Sequence, residues 1–130
     1  MYERAARPLL ARALDAGLHG TLVLFGQTGT GKTHTCFGVQ QRLARDVFAG
    51  LRAGEGEVAL EAFELRGTRV CDLLADRRPV KVLQDAGGTV RVAGARRVVA
   101  RDASALSAAL ASANALRATA ASERNERASR

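Results

Sequence analysis

At 130 residues the chain is one domain long, and although 47% of it is apolar, aromatics make up 4% and Trp is absent, so any core is built from Leu, Val and Ala, which bury little area each. The net charge is +7, carried by Arg except at Lys32 and Lys81, and the Arg residues are scattered without interleaved aromatics, a pattern that excludes a compact nucleic-acid-binding patch. Charges at Glu3, Arg4 and Arg7, and the lack of any long apolar stretch, exclude a signal peptide and a membrane span, so an intracellular soluble protein is expected.

From Glu3 to Ala16, the residues Ala6, Leu9, Leu10, Ala13 and Leu14 recur at helical spacing, with Pro8 tolerated in the opening turn. Gly17 to Gly20 break this helix, and the apolar run Thr21-Leu22-Val23-Leu24-Phe25 reads as a strand. A second helix is expected from Gly31 or Lys32 past Leu43, Val47 and Phe48, with an exit loop over 50–56. Val58 to Leu65 and Thr68 to Leu74 read as two strands of a hairpin turning at Arg66-Gly67. Val80 to Leu83 and Thr89 to Val92 flank a turn at Asp85-Ala86-Gly87-Gly88, and Arg97 to Ala100 adds a short strand. Asp102 is placed as the N-cap of a last helix with Leu106, Leu110, Ala113 and Leu116 on one face. The polar tail from Ser122 lacks periodicity and, taken alone, reads as a frayed terminus. The sum is a single α/β chain. Cys36 and Cys71 fall in a helix and a strand, lack metal-ligand spacing, and are expected as buried free thiols in a reducing compartment.

Residues Gly26-Gln27-Thr28-Gly29-Thr30-Gly31-Lys32-Thr33 match Gly-x-x-x-x-Gly-Lys-Thr between the expected strand and helix. Glycines let such a loop curl so that its N–H groups reach phosphate oxygens, the lysine adds a positive charge, and the threonine hydroxyl ligates Mg²⁺. The helix that follows carries about half a positive charge at its N-terminus, which also favours an anion. A nucleoside triphosphate with magnesium is the expected ligand. The loop contacts phosphates and metal only, so it names neither base nor reaction.

Beyond this loop the chain resembles the motor domain of kinesins over nearly its whole length. Tyr2 with Arg7-Pro8-Leu9 resembles the helix before the nucleotide site, and Gly20-Thr21, Gln27 and the trailing His34-Thr35 are similar to the family's extended phosphate-loop signature. Phe63-Glu64-Leu65 and Cys71-Asp72-Leu73-Leu74 resemble paired strands ending in Asp-Leu-Leu, and Val82-Leu83-Gln84-Asp85 with 90–94 resemble the segment after them. Arg117, Ser122 and Asn125 to Arg130 are similar to the first switch, an Asn-x-x-Ser-Ser-Arg element. Within kinesins, Arg45-Asp46-Val47-Phe48 and the stretches from Asp72 to Asp85 look most like the internal motors that depolymerise microtubule ends.

The resemblance implies a P-loop NTPase-type three-layer α/β fold, ATP with Mg²⁺ as ligands, microtubules as partner, and a cytoplasmic, cytoskeletal location. It places Gly26 to Thr33 on the phosphates and His34 against adenine, whereas the residues alone allow His34 simply to face solvent. It makes Asn125, Ser129 and Arg130 the catalytic switch residues, with Thr33 and Ser129 near the metal.

Several positions depart from the family pattern. Ala128 replaces the first serine of the switch, and Cys36-Phe37-Gly38 continue straight into Val39 where the family interrupts its helix. The resemblance further implies a partial motor domain lacking the second switch and the main microtubule-binding elements, hence little or no ATPase activity in the isolated polypeptide. It also implies that strands from outside the chain flank the phosphate-loop strand, leaving an open edge and marginal stability. Two other readings predict different behaviour: a small-molecule kinase would bind a second phosphorylated substrate, and a non-catalytic interaction module would bind nucleotide without turnover.

Overall fold

The computed structural model describes residues 1–27, 29–51 and 56–128, with the side chains of the last helix described as far as Arg117. The chain forms two compact units, Met1–Glu57 with Arg101–Ser107, and Val58–Ala100 with Ala108–Arg130. Helices and strands mix as the sequence implies, and every strand pair is antiparallel.

In the first unit a π-helical turn, Tyr2–Ala6, runs directly into α1 (Arg7–Ala16). Pro8 sits at the start of α1, where a missing N–H costs least. The helix ends as expected at Gly17, left-handed at φ 62°, whose N–H donates to Ala13 O at 3.1 Å while Leu18 N–H reaches Arg12 O at 3.5 Å. The next helix, α2 (Lys32–Gly50), is unbroken through Cys36-Phe37-Gly38. It packs against α1 and the π-helical turn, burying Ala44 and Val47 on its side and Tyr2 and Ala6 on the other. The approach is close: a Cβ on Gly50 would lie 2.6 Å from Leu14 Cδ1. Across 44 residues of sequence, the Tyr2 hydroxyl donates to Asp46 Oδ2 at 2.7 Å, and the Arg42 guanidinium lies 5.9 Å from the Tyr2 ring centre.

The run Thr21 to Phe25 is not a strand, contrary to expectation, and no strand among the described residues pairs with it. Val23 is 69% exposed and Phe25 90%. Apolar composition supplies strand propensity but not a ladder. The Gly17–Gly20 connection leads back to α1 and the glycine loop leads on to α2, so neither neighbour in sequence offers a strand for hairpin pairing.

Among the described residues the second unit holds six strands. β1 (Val58–Leu60) pairs with β6 (Val98–Ala100), and β2 (Phe63–Arg66), β3 (Arg69–Asp72), β4 (Arg78–Gln84) and β5 (Val90–Ala93) form a sheet in that order. The single strand expected over 58–65 is therefore two, divided at Glu61-Ala62 and committed to different sheets. The expected hairpin at Arg66-Gly67 forms, with Leu65 opposite Val70. The turn at 85–88 also forms: Asp85 Oδ1 accepts from Gly87 N and Thr89 N at 3.0 and 2.9 Å, and Oδ2 from Arg91 at 3.0 Å. Those bonds hold the Asp85 carboxyl below the usual carboxylate range, the Thr89 N–H being the largest cause and the Arg91 guanidinium the next.

The last helix, α3 (Ala103–Ala128), starts where its cap was expected: Asp102 Oδ1 accepts from Ala105 N at 2.8 Å, and Asp102 O from Leu106 N at 3.2 Å. Leu106 and Ala113 are buried, and Ala113 with Leu116 packs against Leu73, Leu74, Leu60, Ala62 and Val98 in the core of the second unit. Asp72, fully buried, ties that core together through its carboxylate, which accepts from Leu74 N at 2.8 Å and Arg96 N at 2.5 Å, while Arg96 Nη1 donates to Leu74 O at 3.0 Å. Both cysteines are free, Cys36 in α2 and Cys71 in β3, but each is only half-buried rather than buried as expected.

Candidate functional site

The glycine loop leaves the chain without a strand before it but with the expected helix after it. Gly29 and Gly31 have φ of 87° and 82°, and a Cβ on either would meet nothing within 4 Å. Gly31, left-handed at ψ 13°, is followed by the right-handed Lys32, and a left–right pair of this kind turns successive N–H groups toward one side, the geometry that binds anions. No side chain caps α2 at Gly31. The positive end of a 19-residue helix therefore faces the open side of the loop.

Lys32 folds back across this arc. Its ammonium donates to Gly26 O and to Gln27 O, both at 2.6 Å, spanning the loop from the first helical residue to the first glycine. Thr30 closes the turn inside the arc, its N–H and its hydroxyl both directed at Gln27 O, at 3.3 and 2.8 Å. The Thr35 N–H to Gly31 O bond, 2.9 Å, completes the first turn of the helix. Thr33 and His34 lie on that turn and are exposed, consistent with the residues-only reading of His34 as solvent-facing and leaving it open to a ligand. Thr28 lies outside the described residues.

Asn125 is carried on the helical backbone of α3, its side chain outside the described residues, and Ser129 and Arg130 lie outside them altogether. Thus Gly26, Gln27, Gly29, Thr30, Gly31, Lys32, Thr33 and His34 are brought together by one loop and helix start. The sequence reading named Tyr2 and Asp46 only for their resemblance and missed that, with Arg42, they hold α2 against the segment before α1. The signal available was the lone tyrosine of an aromatic-poor chain, together with an Arg and an Asp spaced i, i+4 on the expected second helix.

Three comparisons bear on this geometry. A solved structure of a KIF14 fragment dimer, in a two-heads-bound state with AMP-PNP and in complex with a microtubule, superposes with a TM-score of 0.75 at 26% identity, covering 90% of this chain and 37% of that one. The diatom spindle kinesin-1 of Cylindrotheca fusiformis is 33% identical over 132 residues, spanning all of this chain, and the kinesin-like protein KIN-5B of Oryza sativa subsp. japonica is 29% identical over 157 residues. The chain covers 21% and 15% of the lengths of those two relatives. The kinesin motor domain family model matches residues 1–130, and a P-loop fold, the glycine loop and a full-length match together place this chain in the kinesin motor domain family.

Proposed function

We propose that this chain is the nucleotide-binding part of an ATP-driven, microtubule-associated motor, and that Gly26 to Thr33 hold the phosphates of a magnesium nucleotide. The observation that carries this is the loop itself: an uncapped helix start, a left–right backbone pair at Gly31-Lys32, open space over Gly29 and Gly31, and a lysine ammonium held at its mouth. These features fit a polyphosphate anion. Family membership and the AMP-PNP present in the KIF14 complex support an adenine nucleotide, and the microtubule in that complex supports the partner and a cytoskeletal location.

The Thr33 hydroxyl would hold Mg²⁺, which when bound would supply positive charge to offset that of the phosphates. The chain's own residues then divide the work. Backbone N–H groups of the loop and of the first α2 turn orient the phosphates. Lys32 supplies the cation that the anion meets on entry, its ammonium held at the loop by the Gly26 and Gln27 carbonyls. The Thr33 hydroxyl is placed on the first turn to reach the metal, and Asn125, Ser129 and Arg130 act as the element that senses the terminal phosphate.

Titration calorimetry with ATP tests the reading. Binding that requires magnesium, and that falls at least about a hundredfold in Lys32→Ala through loss of a charge-assisted contact, is the expected result. Equal heats with and without magnesium, or an unaffected Lys32→Ala protein, would overturn it. In a protein containing this domain, microtubules should raise the ATPase rate.

A further inference from the structure

Among the described residues of the glycine loop, the Gln27 carbonyl takes three donors. Gln27 O receives the Thr30 N–H at 3.3 Å, the Thr30 hydroxyl at 2.8 Å and the Lys32 ammonium at 2.6 Å. The same hydroxyl is the atom that a Cβ on Gly26 would meet, at 2.9 Å, in a residue whose φ is 151°. The Thr30 side chain therefore occupies the space beside Gly26 inside the bend, with its hydroxyl nearest. Two of the three donors on one carbonyl come from a single residue, and the third is the cation that the site presents to a ligand.

We infer that Thr30 is a positioning residue: its hydroxyl fixes the Gln27 carbonyl, the fixed carbonyl holds the Lys32 ammonium at the loop mouth, and the affinity for magnesium nucleotide depends on that arrangement. The inference rests on the nucleotide-binding reading above and deepens it. A carbonyl free to rotate would leave the ammonium a choice of acceptors, and the loop would have to be ordered at the moment of binding, at the expense of affinity. A hydroxyl is what the position requires. Valine, with the same branched shape, cannot donate, while serine keeps the donor and drops the methyl group.

The test compares wild type, Thr30→Val and Thr30→Ser by calorimetry with ATP and magnesium, with circular dichroism to confirm helix content. Loss of one donor predicts affinity weaker by about three- to tenfold in Thr30→Val, and recovery to within about twofold in Thr30→Ser. A second readout needs no nucleotide. Only two lysines are present, Lys32 and Lys81, so the ¹⁵N ammonium resonance of Lys32 can be assigned with a Lys81→Arg protein. That resonance should be protected from solvent exchange in wild type and Thr30→Ser, and should broaden in Thr30→Val. Wild-type affinity in Thr30→Val with an unchanged Lys32 signal would overturn the role of the hydroxyl, as would a loss in Thr30→Ser as large as that in Thr30→Val, since serine keeps the donor. Failure of the nucleotide-binding reading would look different, since the wild-type protein would then bind no magnesium nucleotide at all.

Discussion

Two apolar runs in this molecule meet opposite fates. Thr21-Leu22-Val23-Leu24-Phe25 is the more hydrophobic and joins no ladder, whereas β4, interrupted by Arg78, Pro79 and Lys81, pairs on both edges with β3 and β5. The difference lies in what adjoins them. β4 has strands within a few residues on either side, brought round by tight turns at 75–78 and 85–88, so each pairing closes a short loop. The run at 21–25 lies between two helices, and any partner must come from far away in sequence. Strand formation here follows the cost of finding a partner rather than hydrophobicity alone.

If local closure builds the four-stranded sheet, the points that tie it to distant sequence should be the costly ones to remove. Asp72 is such a point, fully buried and accepting from Leu74 N and Arg96 N, the latter 24 residues away. Asp72→Ala leaves both N–H groups without that acceptor, and stability should fall by about 3 kcal/mol in urea unfolding. A loss below about 1 kcal/mol would mean that the hairpins hold the second unit together unaided.

The same contrast explains how much was legible beforehand. α2, the Gly17 stop, the Asp85 turn and the Asp102 cap were readable because each is set by residues within four positions of one another: a glycine at positive φ, a carboxylate folding onto nearby N–H groups, or an apolar face at helical spacing. The glycine loop stands out in the sequence for the same reason, since the motif from Gly26 to Thr33 is contiguous. The errors arose where distant sequence decides. The split of 58–65 depends on β1 pairing with β6, some 40 residues on, and the absent strand at 21–25 depends on a partner. Half-burial of Cys36 and Cys71 likewise depends on what packs over them, which spacing does not encode.

A weaker long-range tie sharpens the picture in the first unit. Tyr2, 3% exposed, is bonded to Asp46 across 44 residues of sequence. Tyr2→Phe keeps the ring under Arg42 and removes the hydroxyl, so a loss of about 1 kcal/mol is expected. Burial first, then the bond to Asp46, pushes the phenol up to about 12 from 10.0. The sign follows: the fold favours the protonated phenol, so this contribution is complete below pH 10 and is lost as the pH rises from 10 toward 12. As the sole tyrosine, it gives a clean ultraviolet tyrosinate titration. An apparent pKa near 10 in the folded protein would remove Tyr2 from the tie.

At the local end, improving a turn should help only modestly. Asp76 and Arg77 adopt φ of 48° and 60° in the connection between β3 and β4, where glycine is at ease. Asp76→Gly should raise stability by about 0.5 kcal/mol, relief of strain being partly offset by the greater freedom of glycine in the unfolded chain. Thermal unfolding under otherwise identical conditions measures it, and a lower midpoint would show that the left-handed turn is not strained.

The smallest expected change is at the run that failed to pair. Phe25 is 90% exposed, so replacing it removes almost no buried apolar surface, and Phe25→Ser should alter unfolding free energy by less than about 0.5 kcal/mol. Its effect should appear in solution behaviour instead. Val23 and Phe25 are exposed on a segment whose backbone no described strand covers, a combination that favours association with other chains. Light scattering against concentration should therefore show less self-association in Phe25→Ser at unchanged stability. A stability loss of 2 kcal/mol or more would instead require Phe25 to be buried in solution, and with it a strand at 21–25 that has found its distant partner.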